Sequence, residues 1–285
     1  MRALIIGGGV AGPVAAMALQ KAGWEPVVYE AHAQMAGEAR SYLTVASNGL
    51  DALRAVGAEG PVLEEGFPTP VNVLLSAGGR RLGAVSNGGR LADGTAAHTI
   101  RRARLYAGLH QEAAGRGIEV EFGRRLAGAQ PGPGGGVVAR FADGTSATGD
   151  LLVGADGVHA ATRPLIDPAA PAPRYVGLVN FGGYTPGVAV ADPGTWHMVF
   201  GKRAFFGYVT DPSGGTVWFA NVPRAQTSRA ERGATTAGSG SSSCSSCSPA
   251  TTARPPASSA PAGSRSPTTT PTTWPRCRPG TTTRW

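Results

Sequence analysis

MRALIIGGGVAGPVAAMALQKAGWEPVVYE, residues 1–30, contains the clearest indication of the fold class of this chain. Residues 2–6 are a nearly continuous apolar run, which predicts a short strand covered on both faces. Residues 13–22 predict a helix, because they are rich in alanine and are followed by Gly23, a residue typical of a helix C-terminus. Residues 25–30 predict a second strand. Strand, helix and strand in this order predict a parallel βαβ unit.

Three glycines between the first strand and the helix form the pattern G-x-G-x-x-G: Gly7, Gly9 and Gly12. Gly7 allows the tight turn off the strand, Gly9 lets the backbone approach a pyrophosphate, and Gly12 lets the helix pack closely. Glu30 lies 18 residues beyond Gly12, where its carboxylate can bind ribose hydroxyls and repel a 2′-phosphate. The pattern predicts bound FAD or NAD rather than NADP. The alternative is a glycine-rich turn without a ligand.

The net charge of +8 is concentrated at one end of the chain. Residues 233–285 hold five arginines and no acidic residue, which leaves +3 (8 − 5) on residues 1–232. This remainder is too small to indicate a nucleic-acid partner. No segment approaches the ~18 apolar residues of a membrane helix, and Gly7 interrupts the apolar N-terminal run. We therefore expect no membrane association, no signal peptide and a cytoplasmic location.

All three cysteines lie in the same end segment, at Cys244, Cys247 and Cys277. The C-x-x-C spacing of the first two is compatible with zinc or redox chemistry, but no histidine follows them. Accidental spacing in a serine-rich run explains the pattern better, so the sequence predicts no metal site.

Further helices and strands are predicted between the two ends of the chain. Residues 47–58 predict a helix with Ser47 or Asn48 as its N-cap. Residues 71–85 predict two strands around a Gly-Gly turn, and the Asp-Gly pair at 143–144 predicts a β-hairpin. The segment TIRRARLYAGLHQEAAGRGIEVEFG, residues 99–123, predicts a helix of about 13 residues followed by a strand, and Leu105, Leu109 and Ala113 form the apolar stripe of that helix.

The segment GDLLVGADGVHAATR, residues 149–163, places Asp156 and Gly157 at the end of an apolar strand. It resembles the second fingerprint of the class A FAD-dependent monooxygenases, the flavin-dependent aromatic hydroxylases. The opening of the chain resembles the first fingerprint of that family. TIRRARLY, residues 99–106, resembles its Arg-x-x-Leu helix, with Arg102 at the family's arginine. The resemblance extends over about residues 1–222.

The resemblance implies FAD as the cofactor and a role for each matching residue. The three glycines would surround the pyrophosphate, and Glu30 would bind the adenosine ribose. Arg102 would lie near the pyrophosphate and flavin, although it is also compatible with a solvated helix charge. Asp156 would hydrogen-bond FAD beside Gly157, although it is also compatible with a simple strand end. The predicted cofactor-binding residues are Gly7, Gly9, Gly12, Glu30, Arg102, Asp156 and Gly157; no catalytic residue is predicted.

Aromatic residues are concentrated in residues 174–222, where Gly and Pro separate short apolar runs and predict an antiparallel sheet. In the resembling family such a sheet covers the substrate pocket, but aromatic residues also fill the core of any sheet. The predicted fold class is α/β. A Rossmann-type FAD-binding domain with a parallel sheet spans residues 1–170, with a β excursion at about 66–95. A mostly antiparallel, incomplete β substrate domain spans residues 171–225.

After Val222 the sequence contains no Val, Ile, Leu, Phe or Met. Such a segment has little apolar surface to offset its ordering entropy, so residues 226–285 are predicted to be disordered. Two origins are open for this low-complexity segment. One is a genuine linker. The other is an out-of-frame translation of G/C-rich DNA, which would begin between about residues 223 and 240.

The resemblance implies an FAD-dependent monooxygenase with NAD(P)H as its transient reductant. Oxygen transfer through a flavin C4a-hydroperoxide to an aromatic or unsaturated small molecule would be its reaction. A flavin oxidase or halogenase on the same scaffold is a second hypothesis. The third is a non-catalytic protein without the flavin-ring half of the site, because the family's Gly-Asp motif is not found in this sequence.

Overall fold

A computed structural model describes residues 1–34 and 41–226 of the chain. The three cysteines and, apart from Gln226, the segment predicted to be disordered lie outside the described residues. The described residues form two compact units. The first comprises Met1–Pro70 and Ser86–Val176, and the second comprises Val71–Val85 and the described residues from Gly177 onward. The domain bounds given above stay a prediction.

The helices and strands follow one another in this order: β1 (Arg2–Ile6), α1 (Ala11–Lys21), β2 (Glu25–Glu30), β3 (Tyr42–Val45), α2 (Ser47–Ala55), α3 (Gly60–Glu65), β4 (Phe67–Pro68), β5 (Val71–Ser76), β6 (Arg81–Ser86), β7 (His98–Arg101), α4 (Arg102–Gly115), β8 (Glu119–Phe122), β9 (Leu126–Pro131), β10 (Val137–Phe141), β11 (Ser146–Gly149), β12 (Leu151–Gly154), α5 (Arg163–Ile166), β13 (Leu178–Thr185), β14 (Thr195–Phe200), β15 (Phe205–Thr210) and β16 (Thr216–Pro223).

The first unit is built on a four-stranded sheet in the order β12-β1-β2-β8. All three pairings are parallel, as the βαβ pattern predicts. Strand β1 is central, and its apolar run is buried on both faces as predicted. Helices α1 and α4 pack on one face, where Ile5, Met17 and Val28 meet the predicted stripe of α4 in a single apolar core. The α/β fold class is confirmed.

Helix α2 begins where the sequence predicts, but neither predicted residue caps it. The N-cap position is Ala46, and no side chain caps the helix. The Ser47 hydroxyl instead donates a hydrogen bond to the carbonyl of Gly88, and the Asn48 carboxamide oxygen accepts one from the Gly49 amide. The prediction of the N-cap was wrong because tertiary and local contacts compete for these side chains.

Two three-stranded sheets complete the strands of the first unit, in the orders β11-β10-β9 and β3-β7-β4. The predicted Asp-Gly turn joins β10 to β11, and Gly144 adopts a φ of 86° there. The short strands β3, β4 and β7 were not predicted, because their few residues show no clear alternation of apolar and polar side chains.

The second unit is a six-stranded sheet in the order β13-β16-β15-β14-β5-β6. Strands β13 to β16 pair antiparallel, as predicted. The excursion enters the same sheet by a parallel pairing of β14 with β5, which sequence patterns did not reveal. Aromatic residues occupy neighbouring positions across the strands, with His197 opposite Tyr208 and Tyr208 opposite Trp218. Across the described part of the chain, no helix has the length and apolarity needed to span a membrane.

Candidate functional site

Two of the three fingerprint glycines are required by close backbone contacts within the first unit. Gly7 leaves β1 with a φ of +108°, and a Cβ placed there would lie 2.4 Å from the carbonyl oxygen of Ala155. A Cβ on Gly12 would lie 1.9 Å from the carbonyl oxygen of Gly7. Neither position therefore accepts a side chain. Gly7 lets the turn pass the end of β12, and Gly12 lets α1 close on that turn.

Gly9 differs from its neighbours because it faces open space. A Cβ built on it would meet no described atom within 4 Å, and its φ is not positive. The structure would therefore tolerate a side chain at Gly9. The absence of one leaves the backbone accessible to a ligand, as the fingerprint requires.

The backbone amides of this turn are used unequally. The Gly7 N–H donates to the carbonyl of Tyr29 at 2.9 Å, and the Gly8 N–H donates to Oε2 of Glu30 at 2.7 Å. Among the described residues, none accepts a hydrogen bond from the Gly9 N–H. The turn leads directly into α1, whose N-terminus carries further unpaired amides and the positive end of the helix dipole. This arrangement is suited to an anion.

Glu30 is held firmly beside the turn. Besides the Gly8 amide, its carboxylate accepts hydrogen bonds at Oε1 from the backbone N–H of His32 at 2.9 Å and from His32 Nδ1 at 2.7 Å. Burial tends to raise the pKa of Glu30, but the backbone hydrogen bonds from His32 and Gly8 outweigh it and lower the pKa. The group is therefore ionised at neutral pH. Because Oε2 accepts one hydrogen bond, it has capacity for a ligand hydroxyl.

Arg102 is the first residue of α4, and its side chain lies along its own helix. Its Nε donates to the hydroxyl of Tyr106 at 2.5 Å, and its guanidinium lies 5.1 Å from the centre of that ring. The Arg102 backbone N–H donates to the carbonyl of Ser41. The predicted contact of Arg102 with the pyrophosphate side of a cofactor stays a prediction.

Asp156 closes the loop that follows β12. Its Oδ2 accepts hydrogen bonds from the amides of Ala161 and Thr162 at 2.7 and 3.1 Å, and its Oδ1 accepts one from the Thr162 hydroxyl at 2.6 Å. Gly157 follows with a φ of +81° and open space at its Cβ position. A Cβ on Gly7 would lie 2.9 Å from the Cα of Asp156, so the two predicted fingerprints adjoin. Asp156 thus has a structural role beside its predicted one.

His110 belongs to this site, and sequence reasoning missed it. This side chain of α4 is only 8% exposed, and its Nε2 lies 2.6 Å from the carbonyl oxygen of Gly8. The two residues are 102 positions apart in the sequence. A histidine next to an apolar stripe gives no signal of such a contact, and only the packing of α4 against α1 creates it.

A separate cavity of about 530 Å3 lies on the sheet of the second unit, lined by Val73, Arg81, Val190, Ala191, Asp192, Thr195 and His197. His197 Nδ1 lies 3.1 Å from the carbonyl oxygen of Thr195, so Nδ1 carries the proton and Nε2 is the acceptor of the neutral ring. The ring stacks on Tyr208 with centres 4.9 Å apart. Burial lowers the pKa of His197, which favours that neutral form.

Within residues 1–34 and 41–226, no cluster of three or more His, Cys, Asp or Glu side chains is arranged to hold a metal ion.

A family profile described as FAD binding domain matches residues 1–232 of the chain. The aurachin C monooxygenase/isomerase of Stigmatella aurantiaca is 30% identical over 220 residues, which are 77% of this chain and 56% of that protein. An FAD-dependent urate hydroxylase of Klebsiella pneumoniae is 31% identical over 234 residues, which are 78% of this chain and 58% of that protein.

The solved structure of Klebsiella pneumoniae HpxO complexed with FAD and uric acid has a similar fold. The two structures superimpose with a TM-score of 0.72 at 27% sequence identity. The matched region covers 86% of this chain and 61% of the HpxO chain. The chain thus spans about three fifths of the length of the relatives it matches.

Proposed function

Because this chain belongs to the FAD-binding family of class A FAD-dependent monooxygenases, we propose that it binds FAD and acts as an NAD(P)H-dependent monooxygenase. In the proposed overall reaction, a substrate C–H, O2, NAD(P)H and a proton give the hydroxylated substrate, water and NAD(P)+. Bound FAD would supply the redox chemistry, taking two electrons from NAD(P)H and reacting with O2. The protein would contribute binding, orientation and exclusion of water.

The observation that carries the proposal is the glycine turn with Glu30 beside it. The ADP half of FAD needs an anion site for two phosphates and an acceptor for the ribose hydroxyls. The open backbone at Gly9 and the start of α1 supply the first. The ionised carboxylate of Glu30 supplies the second, with acceptor capacity left at Oε2. The residues present therefore fit this half of the cofactor.

The remaining predicted residues take narrower roles in this proposal. Asp156 and Gly157 shape the loop after β12, and the contact of that loop with Gly7 keeps it beside the cofactor turn. Arg102 would contribute positive charge from the start of α4. No side chain is assigned as an acid or a base.

We propose an aromatic or unsaturated small molecule as the substrate. The relatives include a urate hydroxylase and an aurachin C monooxygenase, whose names refer to small molecules. The cavity of the second unit fits a small polar ring, because the apolar Val73, Val190 and Ala191 line it together with hydrogen-bonding side chains: Arg81, Asp192, Thr195 and His197. Its neutral His197 would accept a hydrogen bond from an N–H or O–H group of a ring, and the guanidinium of Arg81 would donate one.

The test is turnover by the chain reconstituted with FAD. Purified protein is supplied with NADH or NADPH, isotopically labelled O2 and a panel of phenols and nitrogen heteroaromatics. The proposal predicts consumption of NAD(P)H and incorporation of one labelled oxygen atom into a product, with no incorporation by Gly9→Val. Consumption of NAD(P)H that yields only hydrogen peroxide across the panel would instead indicate a flavin oxidase.

A further inference from the structure

The contact between His110 and the glycine turn has a geometric consequence for the next residue. Because Gly8 offers a carbonyl oxygen at 2.6 Å, the His110 Nε2 must be the donor of this hydrogen bond. The imidazole is buried and stacks on Phe122 with ring centres 5.9 Å apart, so its position is fixed by packing. His110 therefore holds the Gly8 carbonyl in one direction.

The Gly8 carbonyl and the Gly9 N–H belong to the same peptide group. That group is planar, and the chain contains no cis peptide bond in the described residues. In a trans peptide the C=O and N–H bonds point in opposite directions. When His110 holds the Gly8 carbonyl, the Gly9 N–H must point to the opposite side.

This peptide needs an external restraint because glycine flanks it on both sides. Rotation of a peptide plane between two glycines meets little steric resistance, since neither residue has a Cβ. Glu30 fixes the Gly7–Gly8 peptide by accepting a hydrogen bond from the Gly8 N–H at 2.7 Å. His110 fixes the Gly8–Gly9 peptide by donating a hydrogen bond to the Gly8 carbonyl. Gly8 is thus held at both of its polar groups, by two elements that are distant in sequence.

We propose that His110 is a positioning residue that fixes the Gly8–Gly9 peptide so that the Gly9 N–H faces the diphosphate of the bound dinucleotide. The proposal rests on the FAD binding proposed above. Among the described residues, Gly9 has the first amide of the turn that is not already paired, so it is the first one available to a phosphate oxygen. Without His110, the peptide could rotate and present the Gly8 carbonyl, which would repel the anion.

Two substitutions separate the hydrogen bond from the packing of the side chain. His110→Gln keeps an N–H donor, because the Gln Nε2 can occupy the place of the His Nε2. His110→Leu fills the same space without a donor and leaves the Gly8 carbonyl unpaired. Gln111→Leu replaces an exposed residue next to His110 on the same helix and serves as the control.

The affinities of the parent and these variants are measured by calorimetric titration with FAD, ADP and adenosine. His110→Leu should weaken the binding of FAD and of ADP by about 10-fold or more, because it leaves a buried carbonyl unpaired in the anion site. His110→Gln should bind FAD and ADP within about threefold of the parent, and Gln111→Leu should match the parent. Adenosine, which has no phosphate, should bind all four proteins equally. If His110 had a purely structural role, His110→Leu would weaken the binding of adenosine as much as that of ADP.

The outcomes distinguish this inference from the proposal beneath it. A folded parent that does not bind FAD contradicts the proposed function and the inference together. If the parent binds FAD, and His110→Leu binds FAD and ADP as tightly as the parent does, only the inference about His110 is contradicted.

If His110→Leu does not fold, the parent itself decides the question. Its glycine amides are followed by NMR during titration with ADP. The Gly9 amide proton should shift strongly, while the Gly8 amide, already bonded to Glu30, should shift little. A strong shift at Gly8 with none at Gly9 would overturn the assignment.

Discussion

Substitution of Gly9 by valine should separate cofactor binding from folding. A Cβ at this position meets no described atom within 4 Å, and the backbone φ is not positive, so the folded chain accepts the side chain. Replacing glycine also lowers the entropy of the unfolded chain, so the free energy of unfolding should change by less than about 1 kcal/mol. The valine methyl groups would nevertheless occupy the space through which phosphates reach the turn.

The expected loss of FAD affinity follows from the contacts that the valine would displace. A hydrogen bond between an amide and a charged group contributes about 1.5–3 kcal/mol, and the turn offers at least the Gly9 amide and the first amides of α1. Loss of one or two such bonds is about 1.5–6 kcal/mol, or a factor of about 10 to more than about 10,000 in the dissociation constant.

The assay combines titration of FAD fluorescence with thermal unfolding in the absence of FAD. Gly12→Ala is the matched control, because its Cβ would lie 1.9 Å from the Gly7 carbonyl oxygen and should destabilise the fold itself. Unchanged FAD affinity in Gly9→Val would contradict a phosphate site at this turn. A Gly9→Val protein that unfolds as readily as Gly12→Ala would contradict the open space at Gly9.

Four further predictions concern Glu30, Thr162 and His197. Glu30→Gln should weaken FAD binding by about 1–2 kcal/mol, because a charged acceptor of ribose hydroxyls becomes neutral; an unchanged dissociation constant would remove Glu30 from the site. Because the pKa of Glu30 in the folded protein lies below its ordinary value of 4.5, its contribution to the stability of the FAD-free fold is complete above that pH and is lost as the pH falls through the lowered pKa. Glu30→Gln should abolish this acid-dependent part in urea unfolding at several pH values. Thr162→Val should cost about 1–3 kcal/mol in the free energy of unfolding, since Asp156 Oδ1 loses its hydroxyl donor; equal stability would contradict the loop-closing role of Asp156. His197→Phe keeps the ring but removes the acceptor, so it should raise the KM of a ring substrate with an N–H or O–H group and leave FAD affinity unchanged; an unchanged KM would separate the cavity from the substrate.

The fingerprint of the first unit was predictable because it depends on neighbours in sequence. Gly7, Gly12 and Glu30 occupy positions dictated by one βαβ unit, and the structure places them as that unit requires. The parallel pairing of β1 with β2 and the apolar stripe of α4 likewise followed from local apolar patterns.

What the sequence did not reveal depends on contacts between distant segments. The bond from His110 to Gly8 joins residues 102 positions apart, and no local pattern encodes it. The motif predicted a cofactor contact for Asp156. It did not predict the three hydrogen bonds that the Asp156 carboxylate accepts from Ala161 and Thr162, which arise from the shape of the following loop. The parallel pairing of β14 with β5 likewise joins two strands that are far apart in the sequence, Val71–Ser76 and Thr195–Phe200.

Equilibrium titration of the purified chain with FAD is the sharpest test of cofactor binding at the glycine turn. We expect saturable binding of FAD in equimolar amount, competition by ADP, and loss of both in Gly9→Val. A chain that keeps its folded circular dichroism spectrum and yet shows no saturable binding of FAD or ADP would rule out a dinucleotide site at this turn.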